Sequence, residues 1–288
     1  MKMIKPIVNI SKVIDEYDTV AVGLNGVLSD GIGIKTEAAS ALVNMKKQGK
    51  NIILISNSAL RVELLALELK EKGFPLGVFS SIITAGEITH YKLKIKPGDF
   101  QAIGNSFFKI GPSTGLGVFA GLDYERVNDL ARADFLYVCG AENADDTLDK
   151  YLPFLEHAAG LNMPLLCVGN DTSTYTEGHI SLAAGALAEQ FAVLGGKIIT
   201  IGKPDPSIFK YAFDDVEDFN PDRTLMIGDN LTTDIKGANL SGIHAALVSK
   251  GVHVNFLGEG YIPDVAKTRE LSTNFESYPD YVISNLRW

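Results

Sequence analysis

Residues 20–31 read VAVGLNGVLSDG, an apolar run that breaks into a loop punctuated by glycine. The run predicts a buried β-strand over about residues 18–24, and a loop of this kind can hold an anion through its backbone N–H groups. The tip of the strand carries no carboxylate, because Gly23 and Asn25 stand there. The stretch therefore predicts an anion-binding loop without an acidic group at its tip.

The first quarter of the chain alternates between strand-like and helix-like segments. After the first strand, apolar residues recur at helical spacing over residues 36–48, and NIILIS at residues 51–56 is typical of a buried parallel strand. A second helix is predicted over residues 60–73, where glycine closes it. This order predicts a parallel sheet with right-handed crossovers, which is an α/β fold.

The same alternation returns late in the chain, from KIITIG at 197–202 to HAALVS at 244–249, and we expect both halves to share one sheet. Between them lie further strand-like runs: DFQAIG at 99–104, DFLYVCG at 134–140 and PLLCVGND at 164–171. These runs predict a second α/β unit inserted into the first. Ligands of open α/β sheets bind beyond the carboxyl ends of the strands, so candidate functional residues are sought there.

Composition and charge restrict the class of partner. The chain of 288 residues is 46% hydrophobic, enough to form a core, and its formal net charge is −9. It has no run of Lys and Arg that could neutralise several phosphates, which disfavours binding to nucleic acid or to a membrane surface. Cys139 and Cys167 lie far apart in apolar runs and predict buried thiols. The N-terminal segment lacks the apolar core of a signal peptide, so we expect a soluble, cytoplasmic protein.

Ser56, Asn57 and Lys203 stand at predicted strand ends. Ser56 and Asn57 follow the apolar run IILI, where a hydroxyl and backbone N–H groups could donate to phosphate oxygens; a turn or a helix cap is the alternative. Lys203 lies between glycine and proline after an apolar strand, which would direct its ammonium toward the same edge of the sheet. A surface lysine is the alternative there. The three residues are candidates for binding phosphate.

The segment GDNLTTD at residues 228–234 carries two carboxylates. Asp229 ends a predicted buried strand, and Asp234 follows near the start of a helix. Two converging carboxylates would suit Mg²⁺, which prefers hard oxygen ligands and completes its octahedron with water and substrate phosphate. The alternative is that Asp234 serves only as an N-terminal residue of the helix. The segment is a candidate metal site.

In this order and register the strand-end segments resemble the haloacid dehalogenase (HAD) superfamily of phosphoryl-transfer enzymes. Ser56 is similar to the second motif of the family and Lys203 to the third. The fourth motif is matched by Asp229 and Asp234. The GKP form around the lysine, and the insertion that precedes it, resemble subclass IIA, a NagD-type group that includes sugar-phosphate, nucleotide and pyridoxal-phosphate phosphatases.

The resemblance to subclass IIA also implies a domain organisation. It implies a HAD-type Rossmann-like parallel core, formed by residues 1–85 and 193–288, with an inserted α/β cap of type C2 over residues 86–192. The VGND segment at 168–171 is similar to a loop of that cap, and Asp171 would be the matching cap residue, although the two residues before it depart from the family pattern.

The first motif is where the resemblance fails. Active members carry aspartate at the tip of the first strand and often a second one two positions on, where this chain has Gly23 and Asn25. In the family the first aspartate attacks phosphorus, the second protonates the leaving oxygen, and Mg²⁺ bridges the nucleophile and the phosphoryl group. The resemblance makes the main-chain carbonyl of Asn25 a metal ligand beside Asp229 and Asp234. Because Gly23 leaves the nucleophile position vacant, we expect a weakened Mg²⁺ site.

Two functions are compatible with such a site. The first is a phosphatase-like protein that binds a phosphorylated small molecule with little or no turnover. The alternative is an active Mg²⁺-dependent phosphomonoester hydrolase, of the sugar-phosphate, nucleotide or pyridoxal-phosphate type, with an atypical first motif. In both cases the expected partner is a phosphorylated small molecule, not nucleic acid or a membrane, and the subclass is compatible with a homodimer formed through the cap.

Overall fold

A computed structural model describes residues 3–176 and 179–288. Its strands, numbered in chain order, are β1 (Lys5–Pro6), β2 (Thr19–Val22), β3 (Asn51–Ser56), β4 (Ser81–Thr84), β5 (Ser106–Ile110), β6 (Glu125–Arg126), β7 (Phe135–Val138), β8 (Leu165–Val168), β9 (Ser173–Thr176), β10 (His179–Leu182), β11 (Ile198–Ile201), β12 (Thr224–Gly228), β13 (His244–Val248) and β14 (Tyr281–Ile283). Its α-helices are α1 (Thr36–Lys47), α2 (Val62–Glu71), α3 (Ala85–Ile95), α4 (Leu148–Gly160), α5 (Ala184–Val193), α6 (Pro206–Phe213), α7 (Lys236–Leu240), α8 (Val254–Leu257) and α9 (Val265–Asn274). Within these described residues, no helix is both long and apolar enough to cross a membrane.

The larger sheet has seven described strands in the order β1-β14-β13-β12-β2-β3-β4, and all its pairs are parallel. The first predicted strand, β2, lies in its interior, where Val20 pairs with Leu225 of β12 on one side and Ile52 of β3 on the other. Strands covered on both faces need continuous apolar runs, and β2 and β3 have them. The predicted class, a Rossmann-like parallel α/β core, is confirmed.

Alternate residues of the central strands belong to two different cores. Val20 and Val22 lie in the apolar cluster that includes Leu42 of α1. Ala21 lies in the cluster that includes Ile208 of α6, on the opposite face. Successive side chains of a strand point to opposite faces, so helices on both sides cover the sheet. What remains open to a ligand is the edge formed by the ends of the strands.

A second, smaller unit is inserted between β4 and β12. Its described strands form a parallel sheet in the order β11-β8-β7-β5-β6, and β9 and β10 form an antiparallel hairpin. This is the α/β insertion expected from the sequence. The domain boundaries, residues 1–85 and 193–288 for the core and residues 86–192 for the cap, stay a prediction.

One predicted strand lies in the other sheet, and a second predicted strand does not form. KIITIG was expected in the larger sheet, but Ile198–Ile201 pairs with β8 in the smaller one, with Ile199 opposite Leu166. Helix α5 follows β9 and β10 and returns the chain to a position beside β8, so β11 pairs there in parallel. DFQAIG does not form a strand, because Gly98 (φ 53°) begins a 3-10 turn over Gly98–Gln101, and the strand follows as β5.

Candidate functional site

The carboxyl ends of β2, β3 and β12, neighbours in the larger sheet, open into a cavity of about 480 Å³. Gly23, Ser56 and Asp229 line it from the side of the larger sheet, and Asp171 and Thr174 line it from the inserted unit. A volume in this range suits a small molecule. The sequence-predicted residues are therefore brought to one place, between the two units of the chain.

Lys203 and Asp234 form a buried ion pair at the base of the cavity. The Nζ atom of Lys203 lies 2.6 Å from Oδ1 of Asp234 and also donates to the carbonyl oxygen of Ile55, at 2.8 Å. The other carboxylate oxygen of Asp234 accepts the backbone N–H groups of Asp229 and Asn230, at 3.1 and 3.2 Å. Lys203 is thus a buried cation at the end of β3, not a surface lysine.

The side chain of Asn57 is used to position Lys203. Its Oδ1 accepts the backbone N–H of Lys203 at 2.7 Å, and its Nδ2 donates to the carbonyl oxygen of the same residue at 3.2 Å. Ser56 is buried at the cavity wall, where its Oγ accepts the backbone N–H of Ser58 at 3.1 Å. A hydroxyl that accepts this bond still has its proton to donate to a ligand. That Asn57 binds phosphate stays a prediction. Because its side chain binds the backbone of Lys203, the prediction now concerns the backbone N–H of Asn57.

Asp229 is packed tightly at the end of β12. Its Oδ2 accepts the backbone N–H of Val252 at 2.8 Å. A Cβ atom built on Gly26 or on Gly251 would lie 1.9 Å or 2.3 Å from the same oxygen, so only glycine allows the carboxylate to lie there. Burial, and then the charge of Asp234, raise the pKa of Asp229 to about 8. The carboxyl group of Asp229 therefore holds its proton to a higher pH than an ordinary aspartate does.

Gly23 has the space and the backbone conformation for a side chain. Its N–H donates to the carbonyl oxygen of Ile227 at 2.8 Å, and its φ is not positive. A Cβ atom built there would lie 3.5 and 3.6 Å from the two carboxylate oxygens of Asp234, which is ordinary van der Waals contact. The fold does not require glycine at this position, and the missing side chain would lie beside the carboxylate of Asp234.

Asn25 connects the first loop to the hairpin of the inserted unit. Its Nδ2 donates to Oγ1 of Thr174 in β9, at 3.3 Å. An amide does not release a proton near neutral pH, so Asn25 cannot act as a general acid at the position where the family often carries aspartate.

Asp171 reaches from the inserted unit to the loop after β12. Its Oδ1 accepts hydrogen bonds from Thr233 Oγ1 at 2.6 Å and from Asn230 Nδ2 at 2.9 Å. Burial raises the pKa of this carboxyl group, and the charge of Lys203 opposes the shift. The predicted role of Asp171 as a cap residue that contacts the ligand stays a prediction; its contacts here join the two units.

Two residues beside the site carry no recognisable signal in the sequence. Lys35 donates to the carbonyl oxygen of Gly26 at 2.6 Å, and Gly26 packs against the carboxylate of Asp229, whose charge acts on the ammonium. His253 accepts the backbone N–H of Leu231 through Nε2 at 3.1 Å, and burial lowers the pKa of its imidazole to about 4. In the sequence Lys35 is an isolated lysine before a helix, and His253 has no partner at metal-ligand spacing.

The residues present do not complete the Mg²⁺ site that the resemblance implies. Gly23 offers no side-chain oxygen, and both oxygens of Asp234 already accept hydrogen bonds from Lys203 or from the backbone. The carboxylate of Asp229 and the carbonyl of Asn25 remain. Among residues 3–176 and 179–288, no three His, Cys, Asp or Glu side chains form a group that could hold a metal ion.

Family profiles match nearly the whole chain. The profile of haloacid dehalogenase-like hydrolases matches residues 17–242, and a HAD-hydrolase-like profile matches residues 200–288. The chain therefore belongs to the haloacid dehalogenase-like hydrolase family. The relation to HAD proteins of subclass IIA, predicted from the strand-end motifs, is confirmed.

Individual relatives cover most of the chain. Chronophin of Mus musculus is 27% identical over 248 residues, which are 79% of this chain and 79% of chronophin. A solved haloacid dehalogenase-like hydrolase from Brucella suis 1330 is 26% identical, with a TM-score of 0.82, covering 96% of this chain and 98% of the other. A possible sugar phosphatase from Cytophaga hutchinsonii is 21% identical, with a TM-score of 0.75 and coverage of 99% and 98%, and shares the fold.

Proposed function

We propose that this protein binds the phosphate group of a small phosphomonoester in the cavity and hydrolyses it little or not at all. The observation that carries the proposal is Gly23 at the tip of β2, where a nucleophilic carboxylate would stand and would have room. Without that side chain no aspartyl-phosphate can form at this position. The groups suited to an anion, Lys203 and Ser56, remain in place at the cavity.

The binding role follows from the donors that the site retains. The ammonium of Lys203 has three protons, of which Asp234 and the carbonyl of Ile55 accept two, so a third is left for a phosphate oxygen. The hydroxyl of Ser56 supplies another donor. Charge-assisted hydrogen bonds of this kind are the stronger ones in proteins. A phosphate dianion at this position also avoids the repulsion that an aspartate at position 23 would exert.

Calorimetric titration with inorganic phosphate tests the binding. Ser56→Ala removes one donor and is expected to weaken the affinity about tenfold, the effect of losing a hydrogen bond to a charged group. Ser40→Ala, which removes a hydroxyl from the exposed side of α1, is the matched control and should bind as the wild type does. No detectable heat with the wild type, or equal affinity in both variants, would refute the assignment of this cavity.

Phosphate release tests the absence of turnover. A panel of sugar phosphates, nucleotides and p-nitrophenyl phosphate is incubated with the wild type and Mg²⁺, and with Asp229→Ala as the control. We expect the two proteins to release phosphate equally. Release by the wild type above that of the control would establish the alternative, an active phosphomonoester hydrolase with an atypical first motif.

The homodimer and the cytoplasmic location also remain proposals. Chromatography with in-line light scattering distinguishes a monomer from a dimer. The full chain is used for this test, because light scattering gives the mass of the assembly directly.

A further inference from the structure

Lys35 lies just before α1, and its ammonium is held against the first loop. The Nζ atom donates to the carbonyl oxygen of Gly26 at 2.6 Å and to that of Lys250 at 3.4 Å. The residue is half-buried. The pKa of the amino group is lowered overall by burial, and the charge of Asp229 together with the two carbonyl acceptors opposes that shift.

The ammonium of Lys35 binds the backbone of Gly26, which in turn packs against Asp229. The backbone of Gly26 packs directly on the carboxylate, since a Cβ atom built there would overlap its Oδ2. Lys35 itself lies outside the set of residues that line the cavity. The carboxylate of Asp229 accepts the N–H of Val252, and the ammonium of Lys35 lies close to it without lining the cavity.

Lys35 adds one positive charge. This equals the net charge that a site of the family loses when it lacks both the nucleophilic carboxylate and the divalent cation. A nucleophilic carboxylate and a divalent cation together contribute one net positive charge. In this chain Gly23 supplies no carboxylate, and the metal site is incomplete, so both contributions are missing. Lys35 contributes one positive charge close to Asp229, in addition to the ammonium of Lys203, which lines the cavity. At the low effective dielectric of a buried site such charges still interact strongly over several ångströms.

We propose that Lys35 supplies, beside Asp229, the positive charge that a divalent cation would otherwise supply, so that this site binds phosphate without a metal ion. The inference rests on the proposed function, which is the binding of a phosphomonoester in this cavity. Lys35 is a positioning residue in this account, because it acts through Asp229 and the first loop and does not contact the ligand.

Calorimetric titration with inorganic phosphate, in EDTA and separately in Mg²⁺, tests the inference. The wild type is expected to bind with equal affinity, within about twofold, in the two buffers, since the charge is already present. Lys35→Met is expected to lose about tenfold in EDTA and to recover part of the loss in Mg²⁺, whereas Lys35→Arg keeps the charge and the affinity. Lys47→Met is the matched control, because it removes an exposed lysine at the other end of α1, about 18 Å away.

Each outcome decides between the two proposals. Binding by the wild type in Mg²⁺ but not in EDTA would overturn the inference and leave the proposed function standing. Equal affinities of Lys35→Met and the wild type in EDTA would also overturn it. No binding in either buffer would overturn the proposed function and the inference with it. If Lys35→Met fails to fold, two measurements still test the inference: the affinity of the wild type in EDTA against that in Mg²⁺, and the affinity of Lys35→Arg in EDTA.

Discussion

The ammonium of Lys203 lies 2.6 Å from the carboxylate of Asp234, and each of the two side chains is only 5% exposed. This pair joins the segment after β11 to the loop after β12, and so links the end of the smaller sheet to the larger one. It also fixes the ammonium of Lys203 at the wall of the cavity.

Lys203→Met is expected to lower the free energy of unfolding by about 3 to 5 kcal/mol, because it leaves the carboxylate of Asp234 buried without its cation. Urea denaturation measures the change. Lys197→Met is the matched control: its pair with Asp99 has the same kind of contact, at 2.9 Å, but the side chains are 58% and 66% exposed. It should cost less than about 1 kcal/mol. Equal losses in the two variants would contradict the account of a buried pair.

Gly26→Ala is expected to destabilise the protein and to weaken phosphate binding. The residue has φ of 73°, and a Cβ atom would lie 1.9 Å from Oδ2 of Asp229, so the carboxylate or the loop has to move. Gly49→Ala is the matched control, since that glycine has φ of 80° with no atom near its Cβ position. It should cost about 1 kcal/mol, for the backbone alone, and leave the affinity unchanged. Thermal denaturation and phosphate titration of both variants measure this, and matching losses would argue against the contact.

The free energy of unfolding should depend on pH through Asp229. Its pKa is raised to about 8 in the folded protein, whereas an unfolded aspartate titrates near about 3.9. Between these values the folded state holds the extra proton, so stability falls as pH rises from about 4 to about 8. Asp229→Asn removes this contribution and should give a flatter profile in urea denaturation across that window. Asp123→Asn, at an exposed position, is the control. A profile of Asp229→Asn parallel to that of the wild type would contradict the shift.

Gly23→Asp is expected to fold and to gain activity. The Cβ atom meets only ordinary contacts, and the new carboxylate restores both a nucleophile and a metal ligand. Release of phosphate from p-nitrophenyl phosphate in Mg²⁺ should rise at least about tenfold, with a further gain when Asn25→Asp is added. Gly33→Asp, on the same loop with no atom within 4 Å of its Cβ position, is the control. No gain in either variant would mean that activity was lost beyond the first motif.

Much of the site follows from the sequence because of one property of parallel sheets. Gly23, Ser56 and Asp229 all stand where an apolar run ends, and the carboxyl ends of parallel strands share an edge. Lys203 also reaches this edge, although its strand belongs to the other sheet. The alternation of strands and helices predicted the class, but an apolar run such as residues 198–201 fits either sheet equally well. Its membership depends on where the preceding helix packs.

The contacts that complete the site depend on long-range geometry. Lys35 approaches Asp229 only because the first loop folds back on itself, and Asn57 holds the backbone of Lys203 from another strand. No spacing in the sequence encodes such pairs. The same holds for the bonds from Asp171 to the loop after β12, which depend on how the inserted unit lies on the larger sheet.

The most direct test of the central claim is ³¹P NMR of a phosphomonoester, such as glycerol phosphate, incubated with the wild-type protein. Binding without turnover predicts a broadened or shifted ester resonance and no resonance of inorganic phosphate beyond that of the Asp229→Ala control. An ester resonance unchanged by the protein, or inorganic phosphate that accumulates above the control, would contradict it.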